Sequence, residues 1–462
     1  MNGMSKRIPP TAASSARRLS HSSDTRSFFV YSLLILAGYV SAYAGASIRA
    51  SYLVLAGGCA IVLSGAYSWL FEPNRPREIR WTASVVAVYF FISLHDLHSR
   101  LIGGDSTVAL LMFAQSCIPT FILLLGPILG GWPPAKILKC LCVGFTGYAL
   151  LNYASYMLGY RGVLTDIGEF YTISMSGVGE RWLMRFASGI NSFGVLCGIF
   201  FAIVTYQAII HLRVATAVKS LGYVLMSGVC IFGIFVVETR AIIYMAIVPV
   251  LAVLLRTKRH SLVAVASYSC LGLVVFITPL YLMFLSSPVP ERLDPVVAKF
   301  ERVPGQWRSL SGRAFLWGHS MEVIKDNEVP LLGLGIGNRD VSSAYVEATG
   351  STGLVGTTRH PHNGALEIYL VYGPLGAAAL LLFAAAVMHQ LLRFRRILGD
   401  DGHLMLFVFW AIITANWTES FVSHNTFWVL LIVCCYTLDW SGRAAHRDYS
   451  MNQSGSTARM TA

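Results

Sequence analysis

Two arginines and a histidine in the second half of the sequence have side chains that could act on a phosphate ester. Arg240 lies in the short polar stretch 238–240, Arg313 in the segment 311–317, and His362 directly before Asn363. Guanidinium groups hold the oxygens of a diphosphate through planar paired hydrogen bonds. A neutral imidazole takes a proton from an attacking hydroxyl, which typically accelerates a reaction about 10²–10⁴-fold. Together they suit displacement of a diphosphate by a hydroxyl, for which no metal ion is then required.

Each of these residues also has a structural interpretation when it is taken alone. An arginine at the end of a membrane span commonly anchors the span by snorkelling to the interface. Glu367 can pair with a cation of the neighbouring loop. His360 lies two residues before His362 and is a competing base, since spacing alone does not separate the two. Two further histidines rank lower as bases: His319 and His424.

The elements that must position these residues are membrane spans. The chain is 55% hydrophobic and only 13% charged, whereas soluble domains carry about 25% charged residues. Apolar stretches of the length that crosses a bilayer, about 20 residues, recur from 27 to 438. We therefore predict an all-α, polytopic membrane protein with about twelve spans. The predicted spans are 27–46, 50–71, 81–97, 107–129, 137–158, 190–211, 221–237, 241–255, 261–285, 364–392, 403–417 and 421–438, of which the eighth and eleventh are short.

The spans divide the chain into five parts. Residues 1–26 are polar and are predicted to be a disordered cytoplasmic tail, and 27–285 hold nine spans. A large outer loop, 286–363, separates these from the three spans of 364–440, and 441–462 form a second disordered cytoplasmic tail. Of the Lys and Arg residues, 21 fall on the predicted inner side, six in short outer connections and eight in the long loop. This positive-inside distribution predicts cytoplasmic termini and an outer loop.

The composition argues against several other classes of protein. The net charge of +12 comes from basic residues dispersed over short connections, which does not indicate nucleic-acid binding. All nine cysteines fall inside apolar stretches, so we predict small core residues rather than disulfides or a zinc site. The span centres hold almost no charged residues, although an ion-coupled transporter would be expected to place such groups there.

The long loop is predicted to contain two helices and a turn. Residues 288–303 place apolar side chains at three- and four-residue spacing, which indicates an amphipathic helix lying on the membrane. A second helix begins near Ser311 and is stopped by 327–330. The following Gly-x-Gly-x-Gly at 333–337 has no preceding strand, so we interpret it as a flexible turn rather than a dinucleotide site.

These residues form ordered motifs that resemble those of the O-antigen ligase and polymerase superfamily of bacterial membrane proteins. Its ligases carry His, then Asn, Ser or Gln, nine residues, and Gly-x-x-Gly. His362 and Asn363, the stretch 364–372 and the Gly-Pro-Leu-Gly at 373–376 fit this pattern. Upstream, Arg313-x-x-x-Trp317, the Pro-Leu-Leu-Gly-Leu-Gly at 330–335 and the Thr-Arg at 239–240 are similar to further family motifs.

The resemblance implies a twelve-helix fold in the bacterial inner membrane with a periplasmic active site and no metal cofactor. It implies His362 as base and Arg240 and Arg313 as ligands of the diphosphate. Asn363, Trp317 and Glu367 are expected to support them. The donor would be a glycan linked to undecaprenyl diphosphate, and membrane lipids are the other expected partners.

The resemblance leaves the acceptor open. Ligases of the family deliver the glycan to lipid A-core, and polymerases deliver it to a second lipid-linked repeat. The sequence motifs Ser-Gly-Arg-x-x-Leu-Trp and His-Pro-His-Asn-Gly are also similar to those of exopolysaccharide polymerases of the superfamily. Ligase and polymerase therefore remain equal alternatives.

Two other classes of membrane protein fit less well. A metal-dependent oligosaccharyltransferase would carry acidic residues in a large first outer loop, but the predicted loop is only 47–49 and has no carboxylate. A transporter or flippase of lipid-linked sugars would need a charged central cavity, which the predicted spans do not supply.

Overall fold

In the computed structural model the described part of the chain is helical. It comprises residues 27–40, 80–102, 124–160, 184–186, 190–213, 217–237, 250, 254–255, 260–285, 313–325, 329–334, 363–418 and 426–441, and it contains no strand. Ten helices longer than ten residues are present in these ranges. They are α1 (Ser27–Val40), α2 (Arg80–Ile102), α3 (Pro134–Met157), α4 (Ile190–Arg213), α5 (Ala217–Val236), α6 (His260–Leu285), α7 (Arg313–Lys325), α8 (Gly364–Leu398), α9 (Asp400–Thr418) and α10 (Thr426–Ser441).

Several helices have the length and composition of membrane spans. Within the described ranges, three can cross a bilayer: Pro134–Met157, Ser192–Leu212 and Gly364–Arg395. Four shorter apolar stretches lie in α1, α5, α6 and α10: Ser27–Val40, Ser220–Val236, His260–Leu273 and Thr426–Ser441. The all-helical membrane architecture is thus confirmed for these ranges, while the total of twelve spans stays a prediction.

The long-loop predictions have different outcomes. The helix expected near Ser311 is α7, which begins at Arg313 and ends before the predicted stop. The turn is also confirmed where it is described, since Gly333 has φ +83°. The predicted helix at 288–303 lies outside the described residues, as do the N-terminal tail, the C-terminal tail after 441 and the eighth span apart from 250 and 254–255.

Local sequence explains where α3 begins and ends. Pro134 stands in the first turn, where its missing N–H needs no partner. At the other end, the N–H of Leu158 donates to the carbonyl of Ala154, and Gly159 adopts φ +84°. A glycine in this left-handed region is a common helix terminator, because other residues are strained there.

The core lies where α3, α4, α5, α6 and α9 pack together. Large aromatic rings fill it: the rings of Phe145 and Phe200 stack at 4.2 Å, and those of Tyr206 and Phe407 at 4.5 Å. The seven cysteines in the described ranges are free thiols, and six of them are buried. This agrees with the prediction that they are small core residues.

Hydrogen bonds join the last described helix to the second. The carboxylate of Asp439 in α10 accepts bonds from the backbone N–H groups of Trp81 and Thr82, at 3.0 and 2.9 Å, and from the Thr82 hydroxyl at 2.6 Å. These N–H groups belong to the first turn of α2, which has no partners for them within the helix. Asp439 thus caps α2 and fastens α10 to it.

Candidate functional site

The predicted site residues fall partly within the described chain. Arg240 and His362, with the competing base His360, lie outside it. Arg313 is the first residue of α7. Trp317, Asn363 and Glu367 are all described, and each is at most 1% exposed.

Asn363 caps the N-terminus of α8. Its backbone is extended (φ −150°, ψ 120°), and its side-chain Oδ1 accepts a hydrogen bond from the N–H of Leu366 at 3.1 Å. Its Nδ2 donates to the carbonyl of Trp417 at 3.4 Å. A side chain that accepts from the third helical N–H is the usual N-cap arrangement. Asn363 therefore fixes the geometry with which the chain enters α8.

The start of α8 lies directly against the end of α9. A Cβ added to Gly364 would overlap the side chain of Asn416, since it would lie only 2.6 Å from the Cβ of Asn416. Asn416 is buried, and its Nδ2 donates to the carbonyl of Ile412 at 2.8 Å. Only glycine allows the two helices to approach this closely.

Glu367 occupies the first turn of α8 and is 1% exposed. Its backbone N–H donates to the carbonyl of Asn363 at 3.0 Å, which closes the first helical turn. A carboxylate near a helix N-terminus is favoured by the helix dipole. Its burial places a carboxyl group inside the structure at the first turn of α8.

Helix α7 packs on α6 and α8. Trp317 and Ser320 are buried, whereas Glu322 and Lys325 are exposed. Trp317, predicted to support the site, therefore contributes by packing. Its burial holds α7, which begins at Arg313, in place.

A backbone clasp joins the long loop to α8. Pro374 has no N–H, so the carbonyl of Leu370 has no donor from the next helical turn. The N–H of Leu334 fills this gap and donates to Leu370 at 2.8 Å. The N–H of Leu375 donates to the carbonyl of Leu331 at 3.4 Å. The loop segment thus replaces hydrogen bonds that the proline removes from the helix.

Glycines make the clasp possible. Gly333 and Gly373 have φ of +83° and +68°, and Gly373 is the kink within α8. A Cβ on Gly373 would meet the carbonyls of Leu331 and Pro330, and one on Gly333 would meet that of Val371. The Pro-Leu-Leu-Gly and Gly-x-x-Gly motifs are therefore complementary halves of one contact, a role that the sequence analysis did not predict.

No role for His95 was predicted from the sequence. This residue of α2 hydrogen-bonds to the backbone of Leu332, and its ring centroid is 5.5 Å from that of Tyr372. It connects α2 to both halves of the clasp. The sequence signal that could have indicated this residue is a histidine at the end of an apolar stretch.

An apolar cavity of about 440 Å³ lies beside the first turns of α8. Residues of several helices line it, among them Leu271 of α6, Met321 of α7, Leu366 of α8 and Phe427 of α10. Its volume is in the range of small-molecule binding sites, about 300–1,000 Å³. The lining is suited to hydrocarbon rather than to a charged solute.

Comparison with known proteins agrees with the motifs. No curated protein matches the chain. Residues 222–381 match the family model described as O-antigen ligase. The matched region runs from α5 into α8 and includes α7, the N-cap of α8 and both halves of the clasp. With the helical membrane architecture, this match supports a bacterial membrane protein whose residues 222–381 are similar to the O-antigen ligase family, as the motifs predict.

Proposed function

We propose that this protein transfers a glycan from undecaprenyl diphosphate to an acceptor hydroxyl at the periplasmic face of the inner membrane. The observation that carries the proposal is the first turn of α8. There the N-cap Asn363 directly follows His362 in sequence, and the buried Glu367 and the apolar cavity belong to the same part of the helix. The positive-inside distribution supports a periplasmic site and cytoplasmic termini.

In the proposed reaction, His362 takes the proton of the acceptor hydroxyl. The acceptor oxygen forms a bond to the anomeric carbon of the donor while the bond from that carbon to the diphosphate oxygen breaks. Arg240 and Arg313 hold the diphosphate and neutralise the charge that develops as it leaves. One base and no carboxylate nucleophile imply a single displacement with inversion. A covalent glycosyl-enzyme or retained configuration would contradict it.

The apolar cavity supports a lipid-linked donor. Ala365, Leu366 and Ile368 from the first turns of α8 line it, so a hydrocarbon chain bound there would place its polar end near the start of the helix. Burial of apolar chain contributes about 0.8 kcal/mol per CH₂ group. Binding of the isoprenoid chain would thus hold the diphosphate near the proposed arginines without engaging the transferred sugar.

The test uses purified protein in lipid nanodiscs with an undecaprenyl-diphosphate-linked glycan. Lipid A-core and a second lipid-linked glycan are offered separately, and the products are identified by mass. Product on lipid A-core assigns a ligase, and a longer lipid-linked glycan assigns a polymerase. Movement of the donor across the bilayer without any product would instead indicate a transporter.

The base assignment has a matched pair of variants. We expect His362→Ala to fold normally and to lose transfer by about 10²–10⁴-fold, the usual contribution of a general base. His360→Ala should retain transfer. Normal glycan assembly by His362→Ala, measured beside an unchanged unfolding temperature, would refute His362 as the base.

A further inference from the structure

We propose that the hydroxyl of Tyr369 donates a hydrogen bond to the lipid-side phosphate of a polyprenyl diphosphate and so orients this lipid in the apolar cavity beside α8. The choice of this lipid rests on the proposed function. The assignment of Tyr369 as a binding residue rests on the cavity and on the surroundings of its hydroxyl.

The cavity follows α8 over much of a membrane span. On this helix its lining extends from Ala365 to Ala384, positions that are 19 residues apart. At 1.5 Å per residue this separation corresponds to roughly 28 Å along the helix, compared with about 30 Å for the hydrocarbon core of a bilayer. The cavity therefore has the length to hold an extended hydrocarbon chain beside the helix.

The described lining contains only two polar side chains, and both lie near the start of α8. Tyr369 belongs to the second turn of the helix, and Asn416 of α9 packs against Gly364. Further along α8, the lining residues from Pro374 to Ala384 are all apolar. In ligand sites, a few polar groups in an apolar lining commonly fix the orientation of the ligand. This cavity thus suits an amphiphile whose polar group lies toward the start of α8.

The hydroxyl of Tyr369 has no hydrogen-bond partner among the described residues. Asn416, in contrast, donates through its Nδ2 to the carbonyl of Ile412. The hydroxyl group of a tyrosine in an apolar environment usually has a hydrogen-bond partner. Since Tyr369 is half-buried and lines the cavity, a ligand bound there is in position to accept this hydrogen bond.

A role as a membrane anchor explains Tyr369 less well. Tyrosines are common at the membrane interface, where the ring faces lipid and the hydroxyl faces the headgroups. The cavity that Tyr369 lines is instead formed by five helices, and it includes Met321 of α7 and Phe427 of α10. The ring therefore borders an internal site rather than only the surrounding bilayer.

A phosphate oxygen is the acceptor that suits this hydroxyl. Hydrogen bonds to ionised groups are roughly twice as strong as those between neutral groups, and an apolar environment strengthens them. The described lining contains no carboxylate that would repel a phosphate, since neither Glu367 nor Glu322 belongs to it. With the hydrocarbon chain in the apolar part of the cavity, the phosphate attached to that chain is the one that reaches Tyr369.

The surface of α8 provides a route by which a lipid enters the cavity. Ala378 and Leu381 line the cavity and are also exposed. Because α8 has the length and composition of a membrane span, this opening faces the bilayer. Tyr369 precedes Leu381 by 12 residues, roughly 18 Å along the helix. A chain that enters beside Leu381 thus extends toward Tyr369 within the cavity.

Binding of two lipid probes to the full-length protein in nanodiscs tests the proposal. Undecaprenyl phosphate and undecaprenol share one hydrocarbon chain and differ only in the phosphate. We expect Tyr369→Phe to weaken the binding of undecaprenyl phosphate about 10-fold, which corresponds to one hydrogen bond to a charged group. Binding of undecaprenol should stay unchanged. In the transfer assay, the KM of the donor should rise with kcat little changed, because the bond persists in the transition state.

Two variants serve as controls. Tyr268→Phe is the matched substitution, since it removes a hydroxyl that bonds to Nδ1 of His389 at 3.1 Å and lies outside the cavity lining. It should leave the binding of both probes unchanged. Ala378→Phe fills the apolar part of the cavity and should weaken the binding of both probes by a similar factor.

The outcomes distinguish the proposed bond from its alternatives. An equal change for the two probes in Tyr369→Phe, or no change for either, overturns the bond to phosphate. A lowered unfolding temperature of Tyr369→Phe would assign a structural role to the hydroxyl and would also overturn it. If lysophosphatidylglycerol displaces undecaprenyl phosphate at equal concentration, the cavity is a phospholipid site and the choice of ligand is wrong.

The same experiment separates this inference from the proposed function. If undecaprenyl phosphate binds in a manner that depends on Tyr369, but neither acceptor is glycosylated, the proposed transfer fails and the role of Tyr369 in lipid binding stands. If transfer occurs and Tyr369→Phe binds both probes as the unmodified protein does, the proposed function stands and the role of Tyr369 is refuted.

Discussion

At the first residues of α8, Asn363 acts on the backbone. Both polar atoms of its side chain bond to backbone groups, those of Leu366 and Trp417. The polar residue after His362 thus sets the geometry of the helix start. Gly364 also sets the geometry of the helix start, because the side chain of Asn416 occupies the space that a Cβ at position 364 would need.

We expect Gly364→Ala to destabilise the protein. The added methyl group would overlap the buried Asn416, and overpacking of this kind typically costs about 1–3 kcal/mol. The unfolding temperature in detergent checks this. Gly222→Ala in α5 is the matched control, since no heavy atom lies within 4 Å of its added Cβ. Equal unfolding temperatures for the two variants would contradict the close approach.

At the scale of elements, the clasp explains how the segment 329–334, which follows α7, is fixed to α8. The proline at 374 would ordinarily break or kink a helix, at about 3 kcal/mol or more. Here the N–H of Leu334 bonds to the carbonyl that the proline leaves free, and His95 reinforces the contact from α2. The clasp follows α7 in sequence and therefore limits where α7 can lie relative to α8.

Replacement of Pro374 by alanine should loosen the clasp. Alanine supplies an N–H to the carbonyl of Leu370, which then competes with the N–H of Leu334. We expect faster amide hydrogen exchange at Leu334, measured by mass spectrometry on a peptide containing 329–334. Pro133→Ala, at the start of α3, serves as control. Unchanged exchange in Pro374→Ala would show that the bond between Leu334 and Leu370 does not hold the segment.

At the scale of the whole molecule, Asp439 connects the last described helix to the second. Its three accepted bonds satisfy the start of α2, and it is only 6% exposed. A further aromatic contact joins the same helices, because Tyr89 stacks on Trp428 with centroids 5.3 Å apart. The helix bundle is thus closed by residues from opposite ends of the chain.

We expect Asp439→Ala to lower the free energy of unfolding by on the order of 3 kcal/mol, since hydrogen bonds to charged groups contribute about 1.5–3 kcal/mol each and Ala leaves buried donors unsatisfied. Thermal unfolding in nanodiscs measures the loss. Asp400→Asn, in the exposed first turn of α9, should cost no more than about 1 kcal/mol. A loss for Asp439→Ala no greater than for this control would contradict the proposed closure.

The sequence predicted the features that depend on neighbouring residues. Hydropathy indicated the apolar helices, and the stop signal at 327–330 correctly bounded α7. Residue types and motif spacing also singled out Trp317, Asn363 and Glu367; all three are buried, and their role in supporting the site stays a prediction. The helix predictions succeed because helix formation and membrane insertion respond to local composition.

Only the tertiary structure decided which groups meet across long separations in the chain. The sequence shows Pro374 and therefore the missing N–H donor. It does not show that the N–H of Leu334, 40 residues upstream, takes the place of that donor. The capping of α2 by Asp439 spans 357 residues. Such contacts depend on backbone conformation and on close approach between elements, which hydropathy and spacing do not encode. The sequence alone therefore determined the helices and the candidate residues, and the three-dimensional packing determined how the motifs hold one another in place.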